Sequence, residues 1–302
     1  MKEAVAKAIH WSGLPFLIRH AIARKRATIV HYHEPAPEVL DRHLAWLARR
    51  YAFIPLERLV QAIHARNWAG IPPYALVVTV DDGHRSNRAT LEVFRKYGVV
   101  PTIYLCSQIV GTRRHYWFKV PVADREALMR QPTEERLQRL AKAGYSPTAE
   151  HPEAERQALS RQEIAEMAAL VEFGSHSRFH PVLTMCEAQK CADEILRSRT
   201  EVEALTGRPC DHFAYPNGDY TEREVELVRS AGYRSARTID AGWNGANADP
   251  YRLKVTGVSD DASVHRLAAQ VSGVMSYLRY LRQGSLRGRW PTILPQKRQA
   301  LT

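Results

Sequence analysis

The chain has 302 residues, 45% apolar and 25% charged, which is enough to bury a sizeable core as one large domain or two small ones. No apolar run reaches the length of a bilayer span, and four cysteines without C-x-x-C spacing exclude a disulfide scaffold and read as reduced, buried thiols. The net charge of +11 is concentrated at the two ends of a nearly neutral body, a distribution that excludes a nucleic-acid groove running through the fold.

Residues 1–26 carry six Lys/Arg and one acid, with Val5, Ile9, Trp11, Leu14, Leu17 and Ile18 set among them. Trp11 beside a basic flank fits an interfacial helix, and an ordinary helix packed on the fold fits the same pattern. His10, Pro15, Arg19 and His20 interrupt the apolar stretch, and Arg24-Lys25-Arg26 stands where a signal-peptide cleavage site would. A cytoplasmic protein, peripheral at the inner membrane surface, is therefore expected. Residues 262–302 add seven Lys/Arg and no acid, giving a basic C-terminal helix and tail. These ends suit an anionic membrane or an acidic partner, and solvated tails suit them equally.

Between the ends, short β-rich runs alternate with helical patterns. Strands are expected at 28–32, 75–81, 102–106, 171–175, 212–216, 233–238 and 252–258. Residues 187–206 repeat apolar side chains at helical steps before Gly207, while Ser160/Glu163 and Thr221/Glu224 read as capping boxes. Residues 111–159 form a long polar insertion, helical around 133–143, that opens on His115-Tyr116-Trp117-Phe118. Such insertions serve as lids or binding loops, which makes Trp117 a candidate substrate contact; an aromatic patch closing the core is the other reading. The alternation predicts a parallel α/β sheet or barrel over residues 27–261.

Asp81-Asp82-Gly83 follows the most apolar strand, and Asp-Gly is an ordinary turn pair. It also lies at the strand end where parallel sheets and barrels build their sites. His176 and His180, after another strand, are spaced to meet one metal. Two imidazoles and a carboxylate leave an open position for water, and a second carboxylate can take that water's proton. Tyr215-Pro216-Asn217-Gly218 ends a third strand in a tight turn that could present the Tyr215 amide to an oxyanion; a plain turn is the alternative.

T-V-D-D-G, H-S-x-x-H and F-A-Y-P-N-G, in this order, resemble the polysaccharide deacetylase family (NodB-homology, carbohydrate esterase 4) over roughly residues 27–260. The resemblance implies a distorted (β/α) barrel of seven or so strands that removes N- or O-acetyl groups from carbohydrate. The implied cofactor is a divalent metal, zinc foremost, with cobalt, nickel or manganese as substitutes. By motif, Asp81 is the implied base and Asp82, His176 and His180 the ligands, with Tyr215, Pro216 and Asn217 beside the substrate. Two departures stand out: Ala214 replaces the arginine that orients the family's aspartate, and residues 251–261 lack the late histidine that serves as acid. A subset instead carries a Tyr-His pair on the first strand. Tyr32-His33 matches it, so His33 is the expected acid, with His31 expected on the strand's opposite face.

The expected function is a metal-dependent carbohydrate deacetylase acting on an N-acetylated sugar, oligosaccharide or lipid-linked glycan in cell-surface polysaccharide or glycolipid biosynthesis. A glycoside hydrolase would leave both histidines idle, and a non-catalytic carbohydrate-binding or assembly protein would explain the missing arginine.

Overall fold

The computed structural model of the chain describes residues 3–274. Two N-terminal helices, α1 (Glu3–Trp11) and α2 (Leu14–Ala21), precede β1 (Thr28–Tyr32), α3 (Pro37–Ala48), β2 (Ala52–Phe53) and α4 (Leu56–His64). Then come β3 (Ala75–Val80), α5 (Leu91–Lys96), β4 (Thr102–Leu105), α6 (Arg125–Met129), α7 (Thr133–Lys142) and α8 (Arg161–Met167). The chain continues through β5 (Glu172–Ser175), α9 (Ala188–Thr206), β6 (His212–Ala214), α10 (Glu222–Ser230), β7 (Ser235–Ala241), β8 (Leu253–Gly257) and α11 (Val264–Val271). Of the segment 262–302, α11 is described, and residues 275–302 lie outside the described residues.

Seven parallel strands close a ring in the order β1-β3-β4-β5-β6-β7-β8, with β8 returning to β1. This is the distorted (β/α) barrel. The extra strand β2 was not legible, because two residues show no period. It shares one edge of β3 with β4: β2 pairs with Ala75 and Leu76, β4 with Thr79 and Val80, and β1 takes the other edge.

Alternation along each strand sorts side chains between the ring's interior and its helical coat. Ile29, Val77, Tyr104, Ala214 and Val255 fill the interior, whereas Val30, Val78, Ile103 and Phe213 face the helices. Leu56, Leu59, Val60 and Ile63 of α4 join the interior cluster, so α4 plugs the end where the strands begin. Glu57 fixes the plug through Arg234 at 2.5 Å and His212 at 3.5 Å. The opposite end, where strands finish, is left for chemistry.

Both capping boxes form, on α8 and α10, and α9 ends at Gly207 with φ 67°. The insertion holds α6, which was not expected, and α7. Trp117, Leu128, Leu140 and Tyr145 give it a small core of its own, shared with Val182.

Gly174 lies where β5 passes beneath the Tyr104 ring, and a Cβ there would sit 2.7 Å from both Tyr104 Cδ1 and the His212 carbonyl. Gly174→Ala must spread the β5–β6 seam and should lower unfolding stability by about 1–3 kcal/mol, read from urea midpoints. An unshifted midpoint would contradict this packing.

Candidate active site

Every β3 residue is buried, and Asp81 follows with its amide donating to the Tyr32 carbonyl at 2.9 Å. In an extended strand, Asp81 and Asp82 would point to opposite faces. Asp82 instead has φ 72°, followed by Gly83 at φ 75°. The left-handed step returns the Asp82 carboxylate to the side of Asp81, and both line one cleft of about 310 Å³. A side chain at Gly83 would meet Leu105 at 2.7 Å and Val110 at 2.9 Å, so only glycine completes the turn.

The same cleft receives His176 from the end of β5 and His180 from the loop after it. Nε2 of His176 lies 3.6 Å and Nε2 of His180 3.4 Å from Asp82 Oδ1. His176 Nδ1 must donate to the Ala214 carbonyl at 2.8 Å, because a carbonyl only accepts. Its Nε2 therefore turns a lone pair toward a carboxylate oxygen. Burial lowers the pKa of His176 and pushes His180 down to about 3, so neither imidazole is charged at neutral pH. A lone pair and a carboxylate that face each other without a proton between them suit a cation. Donor atoms of Asp82, His176 and His180 lie within 4.8 Å of one another, and the two-nitrogen, one-oxygen set fits a divalent metal such as zinc.

Neighbouring elements hold these three side chains. Glu194 of α9, fully buried, accepts the amides of Arg178 and Phe179 at 2.9 Å each. Ser177 Oγ accepts the His180 amide at 3.1 Å. His84 donates from Nε2 to Asp82 Oδ2 at 3.0 Å and faces Glu34, which Lys119 binds at 2.9 Å. The Tyr116 hydroxyl donates to the Asp82 carbonyl, and the Trp117 indole N–H to the His180 carbonyl at 2.7 Å. Trp117 thus lines the cleft with its polar atom engaged, as a wall behind the ligands. Arg125 and Met129 of α6 bring the insertion to the rim.

Asp81 has a partner the sequence reading missed. Arg237 of β7, 1% exposed, places Nη2 2.5 Å from Asp81 Oδ2. Its register partner across the β6–β7 ladder is Ala214, the position where the arginine was missing. The guanidinium enters the ring one strand over. Burial pushes the Asp81 carboxyl up, but Arg237, with His176, His33 and His31, outweighs it and holds the pKa at about 2. Asp81 Oδ1 is buried and has no partner.

His33 lies beyond the end of β1, its side chain 48% exposed and its Nε2 3.9 Å from Asp81 Oδ2. Its backbone is clamped by the Asp260 carboxylate, 3.0 Å from its amide, and by Asn87, which donates to its carbonyl at 2.7 Å. The expectation for His31 is corrected: its ring centroid is 5.7 Å from that of His33 and it lines the same cleft, because residues two apart share a face. Burial, then Arg237, pushes His31 down to about 3.

The Tyr215 amide is also corrected. It donates to the Arg237 carbonyl at 3.1 Å within the β6–β7 ladder and is not available to an oxyanion. The Tyr215 hydroxyl donates to the Tyr251 carbonyl. Pro216 is buried and starts the turn, and Asn217, at φ 58°, sets a buried Nδ2 without a partner at the cleft.

The family model described as polysaccharide deacetylase matches residues 71–236. No curated protein matches the chain. Among solved structures, IcaB from Ammonifex degensii is 18% identical with a TM-score of 0.62, covering 82% of this chain and 97% of its own. The Streptococcus pyogenes deacetylase PplD in complex with acetate is 16% identical with a TM-score of 0.60, over 82% and 98%. A de-N-acetylase from Aggregatibacter actinomycetemcomitans is 14% identical with a TM-score of 0.58, over 80% and 98%. At these identities the likeness is one of fold.

Titration of the chelated protein with Zn2+ or Co2+ should show one equivalent bound, and His180→Ala should abolish it. Glu194→Gln, which leaves all three ligands intact, should weaken binding about tenfold or more; unchanged affinity would show that the Glu194 clamp does not position His180. A pH scan of the chelated protein gives a second readout. Unfolded imidazoles take up protons near 6.5, and folded His31 and His180 only near 3, so the unfolded state binds more protons in that window. Stability should fall as pH drops from about 6.5 toward 3, with a shallower loss in His31→Asn. A melting temperature independent of pH would contradict buried neutral imidazoles.

Proposed function

We propose that this chain, which belongs to the polysaccharide deacetylase family, hydrolyses acetyl groups on carbohydrate at the cleft that holds Asp81 and Asp82. The observation that carries the reading is the environment of Asp81. One oxygen is held by Arg237, the other is buried and free, and two imidazoles lie about 4 Å away, His33 at 3.9 Å and His176 at 4.0 Å. That is a carboxylate kept ionised and aimed, as a general base requires.

Asp82, His176 and His180 would hold the divalent metal, which when bound polarises the acetyl carbonyl and lowers the pKa of water. Asp81 Oδ1 takes a proton from the attacking water, whose oxygen adds to the acetyl carbon. Asn217 Nδ2, an unpartnered donor at the cleft, replaces the Tyr215 amide as a donor to the carbonyl oxygen. The protonated His33 imidazole gives its Nε2 proton to the sugar nitrogen as the C–N bond breaks and becomes neutral, leaving acetate and a free amine. Arg237 holds Asp81 in place throughout.

The substrate we infer is an N-acetylated sugar, oligosaccharide or lipid-linked glycan. The Aggregatibacter protein's description as a de-N-acetylase supports N- over O-deacetylation, and the acetate in the PplD complex matches the proposed product. Arg237 fills the role whose absence had favoured a non-catalytic binding protein.

Acetate release from N-acetylhexosamine oligomers and lipid-linked sugars, with and without chelator, tests the reading. Chelation should abolish release and added Zn2+ or Co2+ restore it. Asp81→Asn should retain metal yet lose about 10³-fold or more in kcat, and His33→Ala about 10²-fold or more. Wild-type turnover in Asp81→Asn, or release insensitive to chelation, would overturn the mechanism.

A further inference from the structure

Seven large apolar residues are exposed among the described residues, and five of them fall within residues 5–17: Val5, Trp11, Leu14, Phe16 and Leu17. Trp11 is 77% exposed, Leu17 61% and Phe16 54%. The remaining two, Val100 and Leu196, are isolated, so this concentration is a patch and not scatter. It forms because α1 and α2 meet at Gly13, at φ 76°, which turns the chain sharply enough to present both helices' outer sides together. Inward, Ala6 and Pro15 are buried, and His10 packs on Trp46 and His265, so the hairpin is seated on the barrel with its apolar side left over.

Past Glu3, the hairpin and the turn that follows it are basic. Residues 4–33 contain five Lys/Arg and no acid, and Lys7, Arg24, Lys25 and Arg26 are exposed without an ion pair among the described residues. Glu3 binds Ser263, and α1 lies along α11, so the chain leaves the described region beside this hairpin. The 28 residues that follow carry six Lys/Arg and no acid.

We propose that this hairpin face docks on an anionic lipid bilayer. Trp11, Leu14, Phe16 and Leu17 enter the headgroup boundary while Lys7, Arg24, Lys25 and Arg26 meet lipid phosphates. A second copy of the chain is the poorer occupant, since a two-fold pairing would set basic rim against basic rim. The chain's own basic C-terminal residues are disfavoured by the same repulsion. Arg19 of α2 donates to the Arg50 carbonyl and the Tyr74 amide to the Arg24 carbonyl, which places α2 at the end where the strands begin.

Co-sedimentation of the full chain with phosphatidylcholine vesicles, alone and mixed with phosphatidylglycerol, tests the proposal. Binding should require phosphatidylglycerol, weaken with salt, and drop at least about tenfold in Phe16→Asp/Leu17→Asp, whose thermal midpoint should match wild type. Absence of binding to the mixed vesicles would overturn the proposal. So would equal binding by the variant, which would place the lipid contact outside this hairpin face. A dimer in light scattering that the variant dissolves would assign the face to a second copy. None of these readouts depends on deacetylase activity.

Discussion

The site depends on one buried ion pair, Asp81 with Arg237. Each is nearly sealed from water, and an isolated ion in such a place costs several kcal/mol, so each is tenable only beside the other. Ring closure makes the pairing: β3 and β7 lie across the barrel interior from one another, and residues of the same alternation on both strands meet inside it. Tyr104 backs the guanidinium with its ring face, 5.3 Å from the Arg237 Cζ. The arrangement leaves Asp81 ionised, immobile and with one oxygen unclaimed.

Around that pair the backbone is strained. Asp82, Ser177, His180 and Asn217, four of the six non-glycine residues with positive φ among the described residues, all belong to the site. Left-handed backbone at such residues costs of order 1–3 kcal/mol each and persists only where the surroundings over-determine it. Here the surroundings are visible: Glu194 on the Arg178 and Phe179 amides, Ser177 on the His180 amide, Tyr116 on the Asp82 carbonyl and Trp117 on the His180 carbonyl. The aromatic opening of the insertion is therefore part of the site's frame, which accounts for its position between β4 and β5.

Much of this was legible from residue types. The seven ring strands are short apolar or alternating runs separated by capped helices, and Asp81, Asp82, His176 and His180 stand at the strand ends where barrels keep reactive groups. What escaped depended on backbone detail or on register. The two residues of β2 have no period. The Tyr215 amide could not be known to be engaged until the β6–β7 ladder was laid out. His31 was misplaced by a slip in alternation, since residues 31 and 33 share a face. Arg237 was hidden because its partnership is set by the pairing of two strands; the available signal was a lone cation between Ser235 and Ile239 on the interior side of a strand, opposite the alanine where an arginine was missed.

That register offers the most direct measurement. Acetate release should be compared for wild type, Arg237→Ala and the double variant Ala214→Arg/Arg237→Ala, with metal content determined for each. If Arg237 holds Asp81 as the base, the single variant should lose about 10²–10³-fold in kcat with its metal retained, and the double variant should recover part of that loss by returning the guanidinium from the neighbouring strand. Wild-type kcat in Arg237→Ala would contradict the account.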